Sequence, residues 1–506
     1  MNVNRTISSL VRISLVLPAV VSLSMSMSAC TESVRDAHIE SALPDIYPDY
    51  HGVTVPVNIA PLNFSMSADG YRKIDAVVTD SDGRKIHGQG DESTSFNLDQ
   101  WHELLSQNVG DSLYVTVSAK DDDGWHTFSP FSICVSPDSI DYGIVYRLIE
   151  PGYEVWSKMG IYERSLSSFD ETPLIENTEF DGCVNCHSFN RADPRDLSLH
   201  IRGAHGATIL RRNGQMTAYN TATSQTLGLC VYPYWHPSGK YIAYSTNTTR
   251  QVFHISHNNR VEVFDAASDI QVYDIDNNEL IVTPLLKRDS IYETFPAFSA
   301  DGKTLYFCAA NALPDGSSDF QKVHYSLCSV SFDESTGSFG NHIDTLVDCS
   351  MCCDTIPGSV SFPRPSYDGR FLVYTYADYG QFTIWHHEAD LWIMDLATGE
   401  RRKLTNANSA DTDSFHNWSS NSRWMVISSR RDDGLFTRPY FCHIDAEGNA
   451  SKAFMLPQKN PKRHYQELYM SYNVPDFISG SVAFDNVAAT DLINQKERKP
   501  MKVREQ

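Results

Sequence analysis

The sequence predicts an all-β chain, and three observations carry that expectation. Short runs alternate apolar and polar residues with the period of two that suits a half-buried strand. Asp-Gly and Ser-Gly pairs separate such runs at the spacing of tight turns. Beyond residue 230 a hairpin-sized unit returns four times, and a unit recurring over about 50 to 70 residues must stack on its neighbours to bury a face.

With 506 residues the chain exceeds the length at which one core stops growing, so several domains are expected. Arg5 and Arg12 are the only charges in residues 1–29, so removing that segment moves the formal charge from −22 to −24. A body this acidic is repelled by phosphate backbones and anionic headgroups, which argues against nucleic acid or a peripheral membrane surface as partner.

The apolar run Ile13 to Leu23 follows the two arginines and is too short for a membrane span, as a signal peptide requires. Ser28-Ala29-Cys30 then resembles a bacterial lipobox, although Met27 stands where Leu is commoner. The resemblance implies cleavage after residue 29, lipidation of Cys30 and a place in the cell envelope, periplasmic or outer-membrane-associated. Residues 30–47 are polar and turn-rich and read as a tether.

Residues 48–136 read as short strands. Leu113, Val115, Val117 and Ala119 alternate with their neighbours, and Asp82-Gly83 and Asp123-Gly124 mark turns. One helix is expected from Leu98 to Leu105, with Asn97 as its cap. A β-sandwich of immunoglobulin or fibronectin type III character fits the stretch, without the Cys-Trp-Cys signature of a true immunoglobulin domain. Residues 137–206 break the alternation with Pro137, Pro151, Gly152, Gly160 and Pro173 and hold Tyr142, Tyr146, Tyr153, Trp156 and Tyr162. They read as an aromatic connector packed along a domain.

Residues 207–480 hold the repeats. Tyr232-Pro-Tyr-Trp-His-Pro-Ser-Gly-Lys, Phe295-Pro-Ala-Phe-Ser-Ala-Asp-Gly-Lys and Phe362-Pro-Arg-Pro-Ser-Tyr-Asp-Gly-Arg share one frame, and Phe415-His-Asn-Trp-Ser-Ser-Asn-Ser-Arg is a degraded copy. The frame resembles the TolB-type repeats of WD40-like (PD40) propellers. That resemblance covers roughly residues 209–477 and implies blades around a central channel, of which six are expected. Residues 481–506 read as a polar tail.

The chemistry centres on Cys183-Val-Asn-Cys186-His187. Two thiols two residues apart can add to the two vinyl groups of one haem, and the adjacent imidazole then reaches the iron. Export supports haem c, because covalent attachment in bacteria takes place outside the cytoplasm. A disulfide pair lacks the βαβ context of a thioredoxin-like site, and a structural zinc needs a fourth ligand such as His200 or His205. For the distal position on iron His200 is the first choice, with His205, Met159 and Met216 as alternatives, and Arg202 is a candidate partner for a propionate.

Weaker signals remain. Cys349, Cys352 and Cys353 lack a following histidine and read as a loop disulfide or a metal site. His254 and His257 lie three apart and read as loop histidines, with a second metal or substrate site as the alternative. No G-x-S-x-G elbow, P-loop or dinucleotide fingerprint occurs, so hydrolase and nucleotide chemistry are set aside.

The combination resembles bacterial envelope proteins that join TolB-like repeats to a c-type haem, and hydrazine synthase subunits look similar in their parts. The expected function is a haem-bearing lipoprotein in electron transfer, its propeller docking a redox or envelope protein partner. The alternatives are a TolB-like interaction scaffold without haem, and a haem enzyme acting on a small molecule; no catalytic residue is assignable.

Overall fold

The computed structural model describes residues 32–151, 157–314, 316–349, 358–495 and 497–506. Six sheets, each with four antiparallel strands and two of them with a fifth, make a six-bladed propeller, in agreement with the expected blade number. The inner strands are Ser471–Ile478 (blade 1), Cys183–Asn190 (blade 2), Val231–Trp235 (blade 3), Ile291–Phe298 (blade 4), Ser359–Pro365 (blade 5) and Asp413–Trp418 (blade 6).

Blade 1 closes the ring. Its three outer strands, Gly143–Ile149, Gly160–Ser165 and Glu171–Glu176, precede every other blade, while its inner strand comes from the far end of the chain. Gly143 pairs with Ile478 and Ile149 with Ser471. The stretch expected to be a connector therefore holds most of blade 1 and the start of blade 2. Its prolines and glycines punctuate strands without abolishing them: Pro173 sits on the outermost strand of blade 1, the edge position where a sheet tolerates proline. Tyr146 and Tyr162 are buried and stack at 6.5 Å, whereas Tyr153 and Trp156 lie outside the described residues.

The repeated frame works through its turns. Gly239, Gly302 and Gly369 take φ of +71°, +73° and +76°, and in the degraded copy Ser422 accepts the same conformation at +60°. The residue before that position ties the turn: Asp301 Oδ1 accepts from Lys303 N (3.1 Å), Asp368 Oδ1 from Arg370 N (3.1 Å) and Asn421 Oδ1 from Arg423 N (3.1 Å). The indoles then join blades. Trp235 Nε1 donates to Ser188 O of blade 2 (3.1 Å), and Trp418 Nε1 donates to Arg364 O of blade 5 (3.0 Å).

Each inner strand bulges, shown by register shifts after Val184, Val231, Thr294, Ser361 and Ser414 and between Asn473 and Asp476, with a second shift after Phe189 in blade 2. The residue that follows is turned into the left-handed region at Tyr232, Phe295, Phe362, Phe415 and Val474, with φ between +45° and +53°. The bulge swings the four aromatics onto the axis. Their ring centroids run 4.5 Å from Tyr232 to Phe295, 5.6 Å from Phe295 to Phe362 and 5.0 Å from Phe362 to Phe415. This apolar stack repays part of the backbone strain that a non-glycine residue bears there.

The N-terminal module is one seven-stranded sheet with the helix Leu98–Gln107 and the two-stranded ribbon Ile46–Tyr47 with Ser65–Met66. Leu113, Val115, Val117 and Ala119 are all buried, and Asn97 caps the helix by accepting from Gln100 N at 3.0 Å. The strands thus pair in a single sheet where two facing sheets were expected; Trp101, Leu104 and Leu105 of the helix join the same core. The module docks on blade 6, where Trp424 Nε1 donates to Asp138 O (3.0 Å) and Asn421 Nδ2 to Ser139 O (2.7 Å). At the C-terminus, Lys499–Pro500 and Lys502–Glu505 add parallel outer strands to blades 2 and 3, so residues expected as a polar tail strap the ring.

Candidate functional site

The C-x-x-C-H motif occupies the inner strand of blade 2. Alternation along the neighbouring strand Asp193–Arg202 sorts the side chains: Leu197, Leu199 and Ile201 join the apolar cluster shared with Val145 of blade 1. Ser198, His200 and Arg202 take the other face, and Ser198 Oγ lies 2.9 Å from Tyr244 Oη of blade 3. Cys183 pairs with Arg202, whereas Val184 pairs with Ile201 and His187 with Leu199. Cys183 and His200 therefore share the face toward blade 3, and His187 stands on the face toward blade 1.

The two histidines differ in their bonds. His187 Nε2 is 3.2 Å from Val145 O, and burial with the nearby Arg147 brings its pKa down to about 4. His200 is fully enclosed, its pKa brought down to about 3 by burial and by Arg202, and its Nδ1 has no partner among the described residues. Both imidazoles are neutral, as metal ligation requires.

Cys183 and Cys186 are free and partly exposed. Burial pushes the Cys183 thiol up, against the pull of the Arg147 and Arg202 guanidiniums. Arg147, from the blade 1 strand Gly143–Ile149, donates through Nη1 to Asn185 Oδ1 at 2.6 Å. Two thiols thus lie beside two guanidiniums. A haem carrying both thioethers with His187 on its iron needs all three side chains on one side. The thiols and guanidiniums suit the vinyl and propionate groups of a haem; the imidazole of His187, across the strand and held by Val145 O, does not suit the iron in this backbone conformation.

The remaining candidates are dispersed. His205 is half-buried in the turn after Arg202, and its carbonyl accepts from Arg498 Nη2 at 3.2 Å. Met159 is buried ahead of the blade 1 strand Gly160–Ser165, and Met216 packs against the cluster on the His187 side. Cys349 is buried and free, whereas Cys30, Cys352 and Cys353 lie outside the described residues. Among the described residues no three His, Cys, Asp or Glu side chains are grouped to hold a metal ion.

His254 and His257 sit at the tip of a long hairpin, Tyr241–Phe253 with Val261–Asp274, which extends beyond blade 3 toward blade 5. There Glu262 Oε2 meets His386 Nε2 at 3.0 Å, Tyr379 donates to Glu262, and His386 Nδ1 lies 3.4 Å from Glu388. Burial disfavours the imidazolium, but the two carboxylates outweigh it and hold the His386 pKa at about 9. Nothing in the sequence pointed to this contact, because its partners are over a hundred residues apart.

No family model matches the chain, and no curated protein matches it. Solved structures with similar coordinates include three of different kinds. The β-propeller domain of Cps50 (Swd1) from Myceliophteria thermophila is 11% identical, with a TM-score of 0.31 over 64% of this chain and 92% of that one. A DUF4784 family protein from Bacteroides caccae is 8% identical, with a TM-score of 0.29 over 72% and 96%. Prolyl oligopeptidase B from Galerina marginata is 11% identical, with a TM-score of 0.34 over 81% of this chain and 53% of that one. The chain is an all-β protein built on a six-bladed propeller.

Proposed function

We propose that this chain is an exported lipoprotein, lipid-anchored at Cys30, whose TolB-like propeller carries a haem c through Cys183 and Cys186 and docks a redox partner in the envelope. The observation that carries the reading is the pair of free, partly exposed thiols beside Arg147 and Arg202. When bound, haem would supply one-electron chemistry at iron. The chain's own part is to hold the thiols partly exposed on the inner strand of blade 2, offer two guanidiniums to anionic groups, and keep a neutral imidazole on the thiol face at His200. Ligation by His187 requires the bulge between Val184 and His187 to change its backbone path.

The test is chemical. Chain produced with haem-maturation machinery should retain a haem band through denaturation and acid-acetone extraction, and the peptide containing Cys183 should carry the added mass. Loss of all colour with an unmodified peptide overturns the haem reading. His200→Ala then asks which imidazole sits on iron: a change from low to high spin assigns His200, and an unchanged spectrum returns the role to another residue.

A second reading is a TolB-like interaction scaffold without haem. It is favoured by the His187 Nε2 contact with Val145 O, which ties the motif's imidazole into the wall between blades 1 and 2. An unmodified Cys183 peptide is its expected result.

A further inference from the structure

The seam between the N-terminal module and blade 6 leaves a cleft of about 400 Å³. Three parts of the chain wall it. Tyr47 comes from the two-stranded ribbon of the N-terminal module, and Asp432, Asp433 and Phe436 come from the turn between the blade 6 strands Trp424–Ser429 and Arg438–His443. Tyr465 and Tyr469 come from the helix Pro461–Glu467 and the residues just after it. Four aromatic rings and two carboxylates thus meet in one concave site. It is open: Tyr469 is 71% exposed, and the half-buried Phe436 lies beside it with ring centroids 6.5 Å apart.

The wall is held in place by its own hydrogen bonds. Tyr465 Oη donates to Leu456 O (3.0 Å), and Asp433 Oδ1 accepts from Leu435 N and Phe436 N (2.8 Å each), which fixes the turn that presents Phe436. Tyr47 Oη donates to Asp432 Oδ2 at 2.8 Å. The other oxygen of each carboxylate has no donor among the described residues. The rings already attract one cation: Arg438, 1% exposed, lies over Phe436 at 5.0 Å and over Tyr465 at 5.1 Å, its Nη atoms bound to Met470 O, Tyr465 O and Leu468 O. Lys462 also reaches the cleft, but its Nζ is taken by Asp69 (2.9 Å) and Ser67 O (3.3 Å). With Lys462 matched by Asp69, two carboxylates stand against the single guanidinium of Arg438.

The face of an aromatic ring is negative and draws cations, the more so where a carboxylate stands near. A primary ammonium brings three N–H donors that each need an acceptor, and a wall made mostly of ring carbon supplies too few. A quaternary ammonium brings none, and its positive surface is methyl, which rings satisfy directly. We infer that the cleft binds a quaternary ammonium compound, its methyl groups against Phe436 and Tyr469 and its charge beside Asp432 and Asp433. The site uses neither the thiols nor the guanidiniums of the haem reading, so it goes beyond that reading and does not depend on it. No local pattern marks it in the sequence, since Tyr47 and Asp432 stand 385 residues apart.

Calorimetric titration of the full chain in a non-ionic detergent tests the inference with three probes: choline, its uncharged isostere with a tert-butyl group in place of trimethylammonium, and ethanolamine. Choline should bind at least about fivefold more tightly than either of the others. Tyr469→Leu, which keeps an apolar side chain at an exposed position, and Asp432→Asn, which keeps an acceptor for Tyr47, should each weaken choline by at least about threefold. Should either variant fail to fold by circular dichroism, the preference of the unmodified chain for choline over its isostere decides alone. No choline binding at millimolar concentration, a smaller preference over the isostere or ethanolamine, or a smaller loss in either folded variant each overturns the inference.

Discussion

Phe362 tests the account of the axial aromatic stack. The residue is buried, lies within 5.6 Å of Phe295 and 5.0 Å of Phe415 by ring centroid, and carries φ of +53°. Truncating it to Ala should cost about 3–5 kcal/mol, the usual cost of emptying a buried phenylalanine. That figure does not separate packing from backbone strain, so a second site is needed. Val360, two residues earlier on the same strand, is equally buried but is not left-handed. Gly and Ala variants at both positions give a double difference. The extra freedom of Gly in the unfolded chain and the loss of one buried methyl are common to both sites and cancel. What remains is the left-handed strain borne by Ala at 362 and not at 360, about 1–2 kcal/mol in favour of Gly. Urea unfolding followed by tryptophan fluorescence reads all four variants, provided their slopes agree. A double difference below about 0.5 kcal/mol, the ordinary error of additivity, refutes the claim that the frame's aromatic is held on the axis against strain.

Three further outcomes are expected. His386 is held near pKa 9 against its ordinary 6.5, so its contribution to stability is complete below the unfolded value and is lost as pH rises through about 9; the stability gap between the unmodified chain and His386→Asn should close between pH 7 and 10 in thermal unfolding, and a constant gap counts against an imidazolium held by Glu262 and Glu388. Asn97→Ala should cost about 1 kcal/mol by removing the cap on Gln100 N, read by urea unfolding, while Asn97→Asp should cost little. Cys30→Ala should leave the precursor uncleaved or release the chain from the membrane fraction, and normal processing and retention in that variant would contradict a lipid anchor.

The sequence by itself determined what depends on neighbours along the chain. The Asp-Gly turns, the alternation around Val115, the cap at Asn97 and the fourfold frame are local matters of backbone freedom and side-chain period, and all were legible. Residues 143–176 were not, because Pro173 and Gly160 imitate a loop unless the strand is known to lie at a sheet edge, and that is known only once Ser471–Ile478 returns to pair with Gly143–Ile149. The C-x-x-C-H motif marks the same limit. Its spacing says that two thiols and an imidazole are near in sequence, but placing it in a bulged inner strand sets Cys183 toward blade 3 and His187 toward blade 1. Only the closed ring decided which side chains share a surface: strand alternation is a local rule, whereas the blade that each face meets is fixed by pairings between segments hundreds of residues apart.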